Sequence, residues 1–397
     1  MFERGPWQPL LDGESAEAVW QAINGIAEDL RTPPEGTPLT DHPSLGGRCG
    51  RAIFFAYLAA AKADEAAAEH ADDEFDQAVD AMASQPMQPN LYTGFSGIGW
   101  TSEHLDGLLF ESDEDEEVSS NDLDEAILKL LELPDRIRDY DLIKGLVGLG
   151  VYALEALPRP GARRCLELLL NHLERLAESI DPGLTWHTPP ELLPPHQREI
   201  YPEGYYNLGV AHGVPAVAAL LGEMLAAGVA TDRVTPLLEG AMDWILGQEL
   251  ASDARARFPN CIAAGSEPQA SRLAWCYGDL GLAASLLLAA RGAARSDWEE
   301  QAVRIASASA QRPPDTAGVV DAGLCHGSAG LAHLFNRIYQ ATGNELFASR
   351  ARYWLDAALT ARRPGEGFGG FPSWSSEDLT NPMEMSWIAD DGFLTGA

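Results

Sequence analysis

The run GDLGLAASLLLAA, residues 278–290, decides the fold, because in it a Gly-x-x-Gly turn leads directly into an apolar segment. Turns of this form, some of them longer by one residue, recur at Gly46–Gly50, Gly94–Gly97, Gly145–Gly148, Gly209–Gly213, Gly278–Gly281, Gly327–Gly330 and Gly392–Gly396. A repeat at intervals of about fifty to seventy residues indicates an architecture built from copies of one supersecondary unit.

Each interval between turns has room for two helices. After the turn at residues 327–330, apolar residues take the i, i+3, i+4, i+7, i+8 spacing of one helix face: Leu331, Leu334, Phe335, Ile338 and Tyr339. A second kind of helix is predicted ahead of the turns. One covers residues 236–250, with Thr235 as its N-cap and Pro236 as its first residue, and a leucine-rich one covers residues 163–179.

Paired helices repeated seven times predict an all-α fold. We expect an α/α toroid with seven inner and seven outer helices, which forms a single catalytic domain over residues 1–397. Glycine suits the turns because it accepts positive φ and lets backbones approach closely. Two segments are expected to be irregular: the acidic run at residues 111–122 as a solvated loop, and the Pro- and aromatic-rich residues 185–207 as the wall or lid of a pocket.

Composition limits the partners. Asp and Glu number 60 against 27 Lys and Arg, which gives a net charge of -33. Such a charge repels nucleic acid and anionic lipid, so neither is expected to bind. The N-terminal sequence has no apolar core flanked by basic residues, and no later segment has eighteen uninterrupted apolar residues. We therefore expect a soluble, cytoplasmic protein without direct membrane insertion, whose 5 cysteines are reduced thiols.

Two of the cysteines occupy equivalent positions in the repeat. Cys276 lies in the run WCYG, residues 275–278, and Cys325 with His326 directly precedes Gly327. Two thiolates and an imidazole form a ligand set typical of zinc, with a fourth position left open. The alternative is two buried thiols and an imidazole that caps a turn. The other cysteines are expected to be core residues: Cys49, Cys165 and Cys261.

An open fourth position is typical of catalytic rather than structural zinc. Because two thiolate ligands leave the ion little residual positive charge, the site suits another thiol better than it suits water activation for peptide hydrolysis. A substrate thiol bound there would be deprotonated near neutral pH, since the metal competes with the proton. The residues therefore predict an activated sulfur nucleophile.

Three motifs carry a family resemblance: GVAHG at residues 209–213, WCYG at residues 275–278 and CHGSAG at residues 325–330. Together with the glycine turns, which span nearly the whole chain, they resemble the lanthionine synthetase C-like proteins, the cyclases of lanthipeptide (lantibiotic) biosynthesis. The resemblance implies an α/α toroid with one zinc ion bound by Cys276, Cys325 and His326. It also implies ring closure, in which a cysteine thiolate of a dehydrated precursor peptide adds to dehydroalanine or dehydrobutyrine. Protonation of the resulting enolate gives lanthionine or methyllanthionine.

The resemblance also suggests two residues for proton transfer. His212 matches an acid/base residue that handles the thiol proton or protonates the enolate, and an imidazole suits either direction at cytoplasmic pH. The alternative is a core histidine that caps a turn. Asp141 matches an aspartate that orients His212 or acts beside it, and its alternative is an N-cap ahead of the third turn.

Two further residues match the family near Cys276. Arg272, one helical turn earlier, is implied to stabilise the developing enolate. Tyr277 is implied to donate or accept a hydrogen bond in the same pocket, although a packed aromatic is the simpler interpretation. Trp275 is expected in the core.

The chain departs from the family pattern at its end. The sequence stops at Gly396-Ala397, just after the seventh turn begins, where the family pattern would continue into another apolar helix. Since no dehydratase or kinase-like extension is expected ahead of residue 1, the chain resembles a stand-alone class I cyclase. The expected partner is the dehydrated precursor peptide, with a lanthipeptide dehydratase and an export transporter as further candidates. Two alternatives stay open: an enzyme that adds glutathione to dehydroamino acids, and a scaffold for precursor and dehydratase with structural zinc.

Overall fold

The structure, a computed structural model, describes residues 7–106, 114–133, 137–251, 254–376 and 384–396, with the backbone alone for residues 114–120. Its α-helices are α1 (Gly13–Arg31), α2 (Arg48–Lys62), α3 (Glu65–Ser84), α4 (Phe95–Leu105), α5 (Glu114–Leu131), α6 (Leu146–Glu155), α7 (Pro160–Leu176), α8 (Pro195–Ile200), α9 (Val214–Ala226), α10 (Thr231–Gly247), α11 (Asp279–Gly292), α12 (Ser296–Gln311), α13 (Ser328–Thr342) and α14 (Glu345–Thr360). The strands are β1 (Ala177–Ile180), β2 (Gly183–Thr188), β3 (Tyr205–Asn207), β4 (Cys261–Ile262), β5 (Ser373–Ser375) and β6 (Ser386–Ile388).

Six of the predicted glycine turns are each followed at once by a helix. The glycines Gly47, Gly94, Gly145, Gly213, Gly278 and Gly327 are the N-caps of α2, α4, α6, α9, α11 and α13. The longer, more polar helices α3, α5, α7, α10, α12 and α14 alternate with them along the chain, as the paired-helix repeat predicts. None of the helices in the described ranges is both long enough and apolar enough to cross a membrane.

The chain divides into two compact units, of which one comprises residues 86–272 and 276–309. In this unit the helices that follow glycine turns pack in series, α4 on α6, α6 on α9 and α9 on α11, while α7 packs on α6 and α10 on α9. Leu146, Leu221 and Leu286, one from each of α6, α9 and α11, are completely buried. The apolar faces of this helix series therefore supply the core of the unit.

The other unit comprises the described parts of residues 2–85, 273–275 and 310–397. Here α2 packs on α3, α13 on α14, and α1 on α14. A buried ion network links α2 with the seventh turn, because the Arg51 guanidinium bonds Glu74 at 2.9 Å and Asp391 at 2.5 Å. A buried guanidinium is stable only when its charge is paired in this way.

Close backbone approach, and not positive φ, explains the glycine at the N-caps. Gly145 and Gly327 have φ of -115° and -94°, values that any residue adopts. A Cβ atom on Gly145 would lie 2.2 Å from the carbonyl oxygen of Asp139, and one on Gly327 would lie 2.5 Å from Oδ1 of Asp321. The expectation of left-handed backbone at these positions is wrong, whereas the expectation of close approach is correct.

Four of the seven turns share a polar side chain that the sequence repeat did not reveal. The residue six positions before Gly145, Gly213, Gly327 or Gly396 accepts a hydrogen bond from the backbone N–H two residues further on. These bonds are Asp141 N–H to Asp139 (3.1 Å), Gly209 N–H to Asn207 (2.8 Å), Gly323 N–H to Asp321 (3.3 Å) and Gly392 N–H to Asp390 (2.8 Å). Asx turns of this kind replace backbone pairing and fix the chain direction ahead of the helix.

Residues 185–207 are more regular than expected. They contribute β2 and β3 to an antiparallel sheet of order β1-β2-β3-β4, in which His187 pairs with Tyr206 and Tyr206 with Ile262. The assignment of this segment as a wall or lid stays a prediction. A separate hairpin pairs β5 with β6 through Trp374 and Trp387.

Three predicted boundaries are wrong. Of the predicted acidic loop, residues 111–113 lie outside the described residues, and the rest is helical because α5 begins at Glu114. Glutamate is a good helix former, and acidic residues favour a helix N-terminus. Helix α10 begins at Thr231, so Pro236 lies inside it, and Thr235 donates its hydroxyl to the Thr231 carbonyl instead of capping. Helix α7 ends at Leu176, where residues 177–180 leave it to pair as β1 with β2.

Candidate metal centre

The structure brings together the three predicted metal ligands. The sulfur atoms of Cys276 and Cys325 and a ring nitrogen of His326 all lie within 4.8 Å of one another. In a tetrahedral zinc site with Zn–S bonds near 2.3 Å, neighbouring ligand atoms are about 3.8 Å apart. The three atoms would therefore need to approach by no more than about 1 Å to hold one ion.

Backbone hydrogen bonds fix the segments that carry these residues. The N–H of Trp275 donates to the carbonyl of Cys325 at 3.0 Å, and the N–H of Cys325 donates to the carbonyl of Leu394 at 2.7 Å. Cys276 follows Trp275 in the chain, so its position relative to Cys325 is constrained by the first of these bonds. Cys276 is buried, whereas Trp275 is only partly buried; the expectation that Trp275 belongs to the core is wrong.

His326 has the donor atom that a metal requires. Its Nδ1 is buried and has no hydrogen-bond partner among the described residues, while its Nε2 lies 4.0 Å from Oδ2 of Asp321. A buried polar atom without a partner is costly unless a ligand satisfies it. Two thiols and this imidazole nitrogen match the preference of zinc for sulfur and nitrogen donors. By this criterion the residues fit a zinc ion.

Arg272 lies next to one of the proposed ligands. Its guanidinium Nη2 donates to Sγ of Cys276 at 3.5 Å. The two residues are adjacent although residues 272–277 are not helical, so the predicted helical spacing between them is wrong. A guanidinium at this distance places a permanent positive charge beside the sulfur.

Asp141 makes two kinds of contact. Its Oδ1 accepts hydrogen bonds from the backbone N–H groups of Lys144 and Gly145 within the third turn, and its Oδ2 lies 2.7 Å from Nδ1 of His212. The alternative that Asp141 is an N-cap is wrong, because Gly145 is the N-cap of α6. The side chain of Asp141 is 9% exposed and that of His212 is 37% exposed. One buried carboxylate therefore holds a solvent-accessible imidazole in a fixed orientation.

A second carboxylate, which sequence reasoning missed, lies beside this pair. Burial and then the charge of Asp141 raise the pKa of Asp139 to about 6, although the charges of His212 and Lys144 act in the opposite direction. The sequence signal for this second carboxylate was the Asp-Tyr-Asp run at residues 139–141, in which two aspartates flank an aromatic residue. In the structure the aromatic residue, Tyr140, is buried at 1% exposure.

The turn that carries His212 contacts the backbone of Cys276. The N–H of Ala211 donates to the carbonyl of Cys276 at 3.4 Å, and a Cβ atom on Gly209 would lie 2.5 Å from the same oxygen. The ring of Tyr277 lies 6.2 Å from that of His212, between centroids. The His212–Asp141 pair is therefore held directly beside a proposed metal ligand.

Tyr277 is tied to the same turn by a residue that the sequence analysis did not single out. Nδ2 of Asn207 donates to the Tyr277 hydroxyl at 3.0 Å, while Oδ1 of Asn207 accepts from the N–H of Gly209. Burial, followed by the neighbouring Tyr205, raises the pKa of Tyr277 well above its ordinary value. The phenol therefore stays protonated and serves as a neutral hydrogen-bonding group.

The remaining cysteines agree only partly with the core interpretation. Cys49 and Cys165 are buried at 0% and 1% exposure, and burial raises the pKa of the Cys165 thiol to about 12. Cys261, in β4, is only partly buried. Among the described residues, these three cysteines do not join a group of possible metal ligands.

The chain belongs to the lanthionine synthetase C-like protein family, because the sequence profile of that family matches residues 44–367. Nisin biosynthesis protein NisC of Lactococcus lactis subsp. lactis is 25% identical over 274 residues, which cover 63% of this chain and 62% of that protein. The aligned region thus spans less than two thirds of that relative.

A solved structure titled "Nisin cyclase" superposes on the chain with a TM-score of 0.70 at 22% identity, and covers 85% of this chain and 86% of that one. The likeness confirms the fold class predicted from the sequence, an all-α fold of the α/α toroid type.

Proposed function

We propose that the protein is a zinc-dependent lanthipeptide cyclase, which forms lanthionine and methyllanthionine rings in a dehydrated precursor peptide. The observation that carries this proposal is that a possible acid/base pair lies next to a possible zinc site. The turn of the His212–Asp141 pair is hydrogen-bonded to the backbone of Cys276, one of three residues whose donor atoms fit zinc. Family membership and the names of the two relatives support the same activity.

The proposed reaction is a conjugate addition within one peptide. A C–S bond forms between the cysteine sulfur of the precursor and the β-carbon of dehydroalanine or dehydrobutyrine. The electrons of the Cα=Cβ bond move onto the adjacent carbonyl, which becomes an enolate, and a proton then adds to the α-carbon. The thiol loses one proton and the α-carbon gains one, so each ring closes without a change in peptide mass.

Zinc held by Cys276, Cys325 and His326 would lower the pKa of a cysteine thiol placed at its fourth position. The chain's own residues supply the proton transfers. Because Nδ1 of His212 faces the Asp141 carboxylate, its Nε2 is the nitrogen left to take up or deliver a proton. Since the His212 side chain is 37% exposed, a peptide can reach it.

Arg272 and Tyr277 complete the proposed site. Arg272 carries a fixed cation beside Cys276, where it can stabilise negative charge that develops on the enolate. Tyr277 offers a neutral hydroxyl that Asn207 orients. A preorganised charge or donor lowers a barrier because it needs no rearrangement when the reaction occurs.

The test is to incubate the zinc-loaded protein with the dehydrated precursor peptide and count its free thiols by alkylation and mass spectrometry. Each ring should remove one alkylatable thiol. Thiol counts that stay unchanged would refute the cyclase proposal. If the peptide's own thiols stay alkylatable and the peptide gains the mass of glutathione when glutathione is added, the glutathione-adding alternative is correct.

A pair of histidine variants distinguishes an enzyme from a scaffold with structural zinc. His212→Asn should abolish ring formation while zinc content stays at the wild-type level. The matched control is His104→Asn, because His104 also faces a carboxylate, with Nδ1 2.9 Å from Glu155, but lies on α4. Ring formation that persists undiminished in His212→Asn, while Cys325→Ala merely unfolds the protein, would favour the scaffold.

A further inference from the structure

Asp321 is a buried carboxylate that forms hydrogen bonds in the segment around two of the proposed ligands and to the nearby strand β5. The residue is 4% exposed. Its Oδ1 accepts the N–H of Gly323 at 3.3 Å, its Oδ2 accepts the N–H of Trp374 in β5 at 3.1 Å, and its carbonyl accepts the N–H of Ser328 at 2.9 Å. The turn that contains Cys325 and His326 is thus built around this side chain.

The second oxygen of Asp321 also faces the imidazole of His326. Oδ2 lies 4.0 Å from Nε2, and about 2.9 Å would be a hydrogen bond. The opposite ring nitrogen, Nδ1, is the buried atom without a partner in the described part of the chain. A carboxylate near Nε2 favours the tautomer with its proton on Nε2, and this tautomer leaves the lone pair of Nδ1 available to a metal.

We propose that Asp321 is a positioning residue for the metal centre, which holds His326 in the tautomer and orientation that present Nδ1 as the ligand. This proposal deepens the proposed function by naming a residue that acts through a ligand. Through Trp374 the same carboxylate links that ligand to the β5–β6 hairpin. Outer carboxylates of this kind raise metal affinity because they fix the ring and increase the basicity of the ligating nitrogen.

The repeat provides a matched control for a merely structural role. Asp390 occupies the equivalent position of the seventh turn, with Oδ1 bonded to the N–H of Gly392, but its Oδ2 accepts the hydroxyl of Thr395 instead of facing an imidazole. Asp390 is less buried than Asp321. Both substitutions, Asp321→Asn and Asp390→Asn, weaken a turn of the same kind, so their difference isolates the effect of the carboxylate on His326.

The experiment measures zinc affinity by competition with a chromophoric chelator, and zinc content by elemental analysis, independently of turnover. We expect Asp321→Asn to weaken zinc binding about 10- to 100-fold and Asp390→Asn to leave it within about threefold of wild type. Wild-type affinity in a folded Asp321→Asn variant would overturn the proposal, as would an equal loss in Asp390→Asn. Because ring formation is not the readout, loss of the cyclase proposal alone would leave this result intact.

A measurement on the wild-type protein applies if Asp321→Asn fails to fold. A crystal structure of the zinc-loaded protein should show Nδ1 of His326 on the metal and Nε2 within hydrogen-bond distance of Asp321. Coordination through Nε2, or an Asp321 carboxylate turned away from the ring, would refute the proposal.

Discussion

Substitution of Asp141 separates its two roles, because each carboxylate oxygen serves one of them. Oδ1 accepts the backbone N–H groups of Lys144 and Gly145 ahead of α6, and Oδ2 contacts Nδ1 of His212. In Asp141→Asn the amide oxygen can keep the backbone contacts, but the amide N–H₂ then faces Nδ1. In Asp141→Ala both kinds of contact are lost.

The two variants should therefore differ in stability and agree in activity. Loss of a side-chain acceptor of this kind costs about 0.5–2 kcal/mol, and the N–H of Gly145 keeps the backbone carbonyl of Asp141 as an acceptor, so Asp141→Ala should lower the free energy of unfolding by about 0.5–2 kcal/mol. Asp141→Asn should cost less than about 1 kcal/mol. In Asp141→Asn an amide donor at Nδ1 forces the proton of His212 onto Nε2, and in Asp141→Ala nothing orients the imidazole. Both variants should therefore form rings about 10²- to 10⁴-fold more slowly.

The assay is the rate of free-thiol loss from dehydrated precursor under single-turnover conditions, alongside denaturant unfolding of each variant. Asp139→Asn is the matched control, since it removes the neighbouring carboxylate while the contact between Asp141 and His212 remains, and it should stay within tenfold of wild type. An Asp141→Asn variant with wild-type rate would refute the orienting role. An Asp141→Ala variant as stable as Asp141→Asn would refute the role of Asp141 in stabilising the turn.

Three further predictions concern stability and metal binding. Burial and the charge of Asp141 raise the pKa of Asp139 from 3.8 to about 6, so the folded state binds the carboxyl proton of Asp139 more tightly than the unfolded state does, and the free energy of unfolding should fall as pH rises from about 4 to 6. Between pH 4 and pH 7.5, the stability of Asp139→Asn relative to wild type should therefore increase by at most about 3 kcal/mol in denaturant unfolding. A stability difference that does not change with pH would contradict the raised pKa. A Cβ atom on Gly222 of α9 would lie 2.5 Å from the Cα of Ala289 on α11, so Gly222→Ala should lower the free energy of unfolding by about 1–3 kcal/mol, and an unchanged unfolding curve would show that these helices separate easily. Zinc should raise the melting temperature of wild type and of Cys261→Ala but not of Cys276→Ala, because a metal that binds only the folded state stabilises that state. An equal zinc-dependent rise in the melting temperature of Cys276→Ala would exclude Cys276 as a ligand.

Local patterns in the sequence predicted most of the helical framework. A glycine turn followed by an apolar stripe was sufficient to place α2, α4, α6, α9, α11 and α13, because both signals lie within a few residues of each helix. The start of α5 was missed because an acidic run has the same composition in a solvated loop and in a helix N-terminus. The start of α10 was missed because Thr235-Pro236 resembles a cap wherever it occurs.

The residues of the candidate site also fall into those that the sequence predicted and those that it did not. The choice of Cys276, Cys325 and His326 followed from residue type and from their place in the repeat. The repeat also contained the Asx positions Asp139, Asn207, Asp321 and Asp390, but a polar residue six positions before a glycine is too common a pattern to single them out. Their regularity became visible only through their hydrogen bonds.

By itself, then, the sequence determined the repeated helix pairs and the set of donor atoms for a metal, because both are encoded over short stretches of chain. Tertiary structure alone decided which second contact each polar side chain makes. Asp141 meets His212 across 71 positions, Asn207 meets Tyr277 across 70, and Asp321 meets Trp374 across 53. Contacts over such separations depend on how successive turns lie against one another, and no periodicity within a single turn specifies that arrangement.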